Sequence, residues 1–323
     1  MRNCRRLLAS LFLCSCSSAA VGQIGYTLDV QEPEAPRASQ NPPKREVPAD
    51  IVEKSRQPLS GLRSFDDKKL TEFELFDDLA RADVICIGEN HDDPEHHFAE
   101  LAVVEGLQLR APQAGRALGI GFEMFQRPFQ SSLEQYVSGK IGEAELLEQT
   151  EYAERWGYPF AYYRPLVELG HSAGLRLVAL NAPRELTRKV AREGLSSLDP
   201  KERARLPRLD MSDVDHRTAF EAMMTDHPKG KGTPERYYEA QVLWDETMAD
   251  AAANWLEHRA PARQLVIVAG QAHCRHSAIP ARIERRLRSA RVRNVLPMKA
   301  SEQKEPRALG YDYALVLEGP ASP

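Results

Sequence analysis

Val84-Ile85-Cys86-Ile87-Gly88-Glu89-Asn90-His91-Asp92-Asp93-Pro94 is the stretch on which the reading of this chain turns. Four apolar residues without polar alternation describe a strand buried on both faces. Gly88 ends it, and the Asp-Asp-Pro that follows is a helix start. The same form, an apolar run closing on a polar tail, recurs at Ala117–Glu123, Leu175–Leu180 and Leu265–Gly270, with further runs at Val292–Pro297 and Tyr313–Leu317. Amphipathic stretches lie between them at Leu70–Arg81, Glu95–Arg110, Arg184–Glu193 and Glu235–His258. Alternation of this kind predicts an α/β fold, a mostly parallel sheet flanked by helices. Two longer segments, about 129–174 and 195–232, are helical in composition and read as a lid or helical insertion subdomain.

Four of the strand tails carry polar residues: Glu89 and His91, Glu123, Asn181 with Arg184, and Gln271 with His273. Loops and helix N-termini converge beyond the carboxyl ends of a parallel sheet, so these tails are expected to share one crevice. Gly-x-x-His occurs twice within them, as Gly88–His91 and Gly270–His273. A glycine there allows a sharp turn or a positive φ, which aims the histidine back over the sheet edge. Two imidazoles beside Glu89 and Glu123 suit a divalent metal held by His91, His273 and Glu123. They equally suit general acid/base work by Glu89, His91, Glu123 and His273, or a buried polar network that only fixes loops.

Other residues are weaker candidates. Of His96 and His97, one is expected to face the crevice and its neighbour solvent, because successive helical residues point about 100° apart. Arg184 is placed to clamp a carboxylate, or else to pair on the surface with Glu185 or a neighbour. Gln241 and Asp245 lie four apart on one helix face, either supporting a site histidine from behind or simply solvated. Trp156-Gly157-Tyr158-Pro159-Phe160-Ala161-Tyr162-Tyr163 is dense for a chain that is 7% aromatic; such clusters pack cores and contacts, and a phenolate also suits ferric haem.

Composition narrows the partners. Of 323 residues, 43 are Lys or Arg and 47 Asp or Glu, so the basic excess that nucleic-acid binding relies on is missing. Residues 1–22 have a basic start, an apolar core from Leu7 to Leu13 and small residues after it, the form of an export signal. Leu13-Cys14-Ser15-Cys16 resembles the lipobox of bacterial lipoproteins, which implies cleavage before Cys16, a lipid on that cysteine and, with Ser17 next, the outer membrane. The alternative is cleavage near Ala20 or Gly22 and a soluble exported protein. Residues 23–60 are rich in Pro and polar residues and read as a flexible tether, with one domain over 61–323. Cys86 sits in an apolar run and reads as a small buried hydrophobe; a bridge to Cys274 is the alternative in an oxidising compartment.

Taken together, Ile87-Gly88-Glu89-Asn90-His91, Phe122-Glu123-Met124-Phe125, Leu180-Asn181-Ala182-Pro183-Arg184, the helix around Gln241 to Ala249, and Ala269-Gly270-Gln271-Ala272-His273 resemble the ChaN family of haem-binding lipoproteins. The resemblance implies an α/β fold with helical insertions, a lipid anchor and a role in haem and iron uptake. It also implies a homodimer that sandwiches a pair of haems ligated by tyrosine. The family's Tyr-x-Pro-Leu pattern falls on Tyr163-Arg164-Pro165-Leu166, which makes Tyr163 the first candidate ligand, with Tyr158 and Tyr162 as competitors and Asn181 and Arg184 nearby. The strand-end residues alone also resemble the wider superfamily of Tiki proteases, TraB proteins and erythromycin esterases. That likeness implies a metal-assisted or acid/base hydrolase instead.

Overall fold

The computed structural model describes residues 59, 61–111, 115–225, 232–257, 262–299 and 306–317. The export segment, Cys16 and all of the tether except Leu59 lie outside the described residues. Seven strands form one sheet: β1 (Leu62–Ser64), β2 (Val84–Glu89), β3 (Arg116–Gln126), β4 (Arg176–Asn181), β5 (Ala262–Gly270), β6 (Val292–Lys299) and β7 (Tyr313–Leu317). Their order is β1-β7-β6-β2-β5-β3-β4. β1 pairs antiparallel with β7, and every other neighbouring pair is parallel. β1 has three residues, too few for an apolar period, and sequence reading missed it.

β2 shows why the strands lack polar alternation. Ile85 and Ile87 enter one apolar cluster, Val84 and Cys86 another on the opposite face. Onto the first face pack α1 (Glu72–Leu79) and α2 (Pro94–Gln108), with the first insertion: α3 (Gln130–Val137), α4 (Glu143–Gln149), α5 (Tyr152–Arg155) and α6 (Arg164–Ala173). That insertion is helical as expected, yet Leu133, Leu146, Tyr163 and Leu166 join the sheet's own core rather than a separate one. After β4 come α7 (Arg184–Glu193), α8 (Pro200–Arg203) and α9 (Val214–Met224); α7 and α9 pack with the start of α10 (Pro234–Glu257) in a third cluster. The rest of α10, with α11 (Gln271–Cys274) and α12 (Ile279–Arg286), covers the second face. Among the described residues no helix is long and apolar enough to cross a membrane.

Helix starts follow the local chemistry. Thr71 caps α1 in a capping box with Glu74. Asp93 caps α2 by accepting from the Glu95 amide, with Pro94 at the first position, where no amide hydrogen is needed.

The reading of Cys86 as an unbridged thiol is corrected: Cys86 and Cys274 form a disulfide, their Cα atoms 5.4 Å apart across 188 residues of sequence. Parallel pairing of β2 with β5 brings them together, because α11 begins where β5 ends and folds back beside Cys86. Closing so long a loop restricts the unfolded chain, so a Cys86→Ala, Cys274→Ala variant is expected to lose ~2–5 kcal/mol of stability. The check is the urea midpoint of each form. Equal midpoints would show that the bridge contributes nothing.

Candidate functional site

The expected convergence is present. His91, Glu123, Asn181 and His273, from the ends of β2, β3, β4 and β5, line one cavity of 310 Å³ together with Trp156, Tyr158 and Arg184. The glycines act differently from the expectation. Neither Gly88 nor Gly270 has a positive φ. A side chain at Gly88 would collide with the Tyr311 hydroxyl and stand 2.9 Å from the Gln271 Cα, so Gly88 is there for close packing against α11. Glu123 falls where the register between β3 and β4 shifts, from Phe122 to Gln126. Such an irregularity re-aims side chains.

A chain of charged groups runs from the cavity into the protein. Glu123 Oε2 accepts the Gly270 amide at 2.7 Å, and Glu123 Oε1 faces His273 Nε2 at 3.3 Å. On its other side His273 Nδ1 donates to Asp245 Oδ1 at 2.5 Å, and Asp245 Oδ2 takes His216 Nε2 at 2.7 Å and the Gln241 amide at 3.3 Å. Burial works against the charge of His273, but the flanking carboxylates of Glu123 and Asp245 outweigh it and raise the imidazole to about 10. Burial likewise opposes ionisation of Asp245 and Glu123, and the same imidazolium holds both below the usual carboxylate range. The alternative of a solvated face for Gln241 and Asp245 is excluded, since both are buried.

Glu89 sits below the cavity floor, fully buried. Its Oε1 accepts from His91 Nδ1 at 2.5 Å and from the Tyr163 hydroxyl at 2.8 Å, while Oε2 faces His97 Nδ1 at 3.2 Å. His97 Nδ1 also faces Glu100 Oε2 at 3.1 Å, and its Nε2 donates to the His91 carbonyl at 3.1 Å. Burial opposes the charged form of Glu89, yet the His97 and His91 charges hold its carboxyl well down. Glu100, buried and beside Glu89, is pushed well up. His96 accepts the Asn90 amide at Nδ1, 3.0 Å away, and burial lowers it to about 4. The expectation that one of His96 and His97 faces solvent is therefore wrong: the floor closes over both.

The remaining candidates divide. Tyr158 lines the cavity, its ring 4.9 Å from that of His91. Tyr163, first choice as a ligand, is fully buried with its hydroxyl committed to Glu89, and does not reach the cavity because it closes α6 against the sheet core. Tyr162 stacks on His97 at 4.7 Å, away from the cavity lining. Arg184 lines the cavity, and Glu185 binds Arg155 at 2.8 Å. His91, Glu123 and His273, the expected metal set, share the cavity lining. Among the described residues the three potential ligands within 4.8 Å of one another are Glu89, His97 and Glu100. His91 and His273 are each held at Nδ1 by a different carboxylate, Glu89 and Asp245, and His273 turns Nε2 to Glu123. Sequence reading missed Glu100 and His216. Only His97-x-x-Glu100, one helical turn apart, carried a signal.

The raised His273 sets a pH dependence. Its charged form contributes stability that is complete below the unfolded value of ~6.5 and is lost as pH rises through about 10. Melting temperature is expected to fall over that window. Asp245→Asn should cost ~3–5 kcal/mol at neutral pH by leaving an imidazolium poorly paired, and should flatten the fall. A wild-type melting temperature constant from pH 6 to pH 10 would contradict the charged assignment.

Against known proteins, the sequence pattern of the family described as "Haem-binding uptake, Tiki superfamily, ChaN" matches residues 75–283. The structure described as "Cofacial heme binding to ChaN of Campylobacter jejuni" superposes with a TM-score of 0.63 at 17% identity, covering 80% of this chain and 96% of that one. An erythromycin esterase, a mutant of EreC in its open conformation, aligns with a TM-score of 0.43 at 13% identity over 74% of this chain and 77% of its own. Protein RETICULATA-RELATED 5, chloroplastic, of Arabidopsis thaliana is 26% identical over 236 residues, 68% of this chain and 31% of that protein. The chain thus spans about a third of that relative's length. With the pattern running from α1 through α12 and the four strand ends inside it, this chain belongs to the ChaN-type haem-binding family of the Tiki superfamily.

Proposed function

We propose that this protein binds haem in the strand-end cavity, with Tyr158 as the iron ligand, and serves haem or iron uptake. The observation that carries the reading is Tyr158, half-buried on the cavity wall between His91 and Trp156 and in the same cavity as Arg184 and Arg188. The donor set suits the group: a phenolic oxygen for ferric iron, guanidinium groups for propionates, and Trp156, Met223 and Met224 for the ring faces. Bound haem would bring a redox-active iron. The chain's own residues do the holding: Glu89 fixes the His91 ring beside Tyr158, and Arg155, bonded to Gln126 at 3.0 Å, closes one side of the cavity.

Export, a lipid on Cys16, an outer-membrane location and a homodimer around paired haems belong to the same proposal. Export is supported by the form of residues 1–22 and by a disulfide that needs an oxidising compartment. The anchor and the dimer rest on the sequence likeness alone. A second reading, hydrolysis by acid/base chemistry, is favoured by the Asp245–His273 pair in contact with Glu123. His273 is charged at neutral pH, so in that reading it donates a proton, and Glu123, ionised, accepts one.

Hemin titration of the purified chain tests the first reading. A Soret shift is expected, weakened at least tenfold in affinity by Tyr158→Phe. Tyr163→Phe should keep the spectrum while costing ~1–3 kcal/mol, because Glu89 loses a buried donor. Absence of any shift, or a shift untouched by Tyr158→Phe, would remove Tyr158 as ligand. Ester or peptide hydrolysis abolished by His273→Ala with hemin binding intact would establish the second reading.

A further inference from the structure

Beneath the cavity floor, and separate from the haem reading, we infer a buried site for one divalent transition-metal ion formed by Glu89, His97 and Glu100. His97 and Glu100 lie one turn apart on α2, which puts both side chains on the helix face turned toward the end of β2, where Glu89 waits. All three are fully or almost fully buried. Their ligand atoms fall within 4.8 Å of one another, with His97 Nδ1 3.2 Å from Glu89 Oε2 and 3.1 Å from Glu100 Oε2. Donors around an ion with bonds of ~2.1 Å stand about 3.0–3.4 Å apart, the range of the two His97 distances.

The hydrogen bonding points the same way. His97 Nε2 faces the His91 carbonyl, which can only accept, so Nε2 carries a hydrogen and Nδ1 is the atom turned to the two carboxylates. A single proton on Nδ1 serves one of those oxygens well, not both. Glu89 Oε2 and Glu100 Oε1 have no hydrogen-bond partner despite complete burial. Orphaned buried oxygens on two facing acids are costly, and a cation held between them would satisfy both. Two carboxylates and one imidazole suit Mn²⁺, Fe²⁺ or Zn²⁺. The outer partners are also in place: Tyr163 and His91 both bond Glu89 Oε1, and Tyr162 stacks on the His97 ring. Because Glu89 touches both the ion and His91, the ion would anchor the floor on which the cavity wall rests.

The test uses the chain produced in medium supplemented with Mn²⁺ or Zn²⁺ alone, isolated without chelator, and examined by metal analysis and by anomalous scattering from crystals. About one ion per chain is expected, with its anomalous peak among Glu89, His97 and Glu100. Glu100→Gln should reduce the content to a small fraction of that, His273→Ala should leave it, and Tyr163→Phe should weaken retention against a chelator by ~10–100-fold. No stoichiometric ion, a peak in the cavity at His91, Glu123 and His273, or full retention by Glu100→Gln would each overturn the inference. If Glu100→Gln does not fold, the position of the anomalous peak in the unmodified chain decides alone. Hemin binding enters none of these readouts, so failure of the haem reading and failure of this one are separable.

Discussion

Two imidazoles in this protein are gripped at Nδ1 by buried carboxylates, His91 by Glu89 and His273 by Asp245. Each grip fixes the tautomer and the plane of its ring, and each requires an ionised acid to be held where water does not reach. Much of the architecture serves that requirement. The middle of α10 must cross the sheet at the height that delivers Asp245, β2 must end at Glu89, and the β5–α11 turn must pin His273 between two acids. A Gln241 amide and a second histidine, His216, then take up the acceptor capacity left on Asp245. The result is a rigid polar base under a wall that also carries aromatic side chains.

The two sides of the cavity differ in chemistry. One side is ionic: Glu123 and His273 continue inward through Asp245 to His216. The other is built from the aromatic run before α6, where Trp156 and Tyr158 meet the His91 ring. Guanidinium groups on α7 line the same cavity. Membership of a haem-binding family accounts for the aromatic side more readily than for the ionic one. Ion-pair networks that also appear in binding proteins stabilise as well as catalyse, and the present one is dense enough to do the former without the latter.

Much of this was legible in the sequence. Apolar runs without alternation located the long strands, and their polar tails located the cavity, because parallel topology forces those ends together. What failed were inferences that needed a third dimension. His96 and His97 are neighbours in a helix, but the floor closes over both, so the rule that one of two successive residues faces outward did not apply. Tyr163 matched a sequence pattern and is nonetheless buried under α6, whereas Tyr158, five residues earlier, reaches the cavity. His216 sits in a polar stretch with no periodic cue, and only the fold brings it to an acid 29 residues away. Gly88 is required by crowding and not by its backbone angles, and the crowding comes from Tyr311, more than two hundred residues downstream.

Strand order has a consequence for how the protein is made. β5 lies between β2 and β3 although it follows them by more than a hundred residues. A chain delivered amino end first therefore holds two apolar strands with open edges until residue 262 arrives, and such edges invite pairing with other chains. Release before β5 yields an aggregation-prone fragment rather than a smaller working protein. The keystone comes late, and nascent chains of this protein depend on being shielded until it is set.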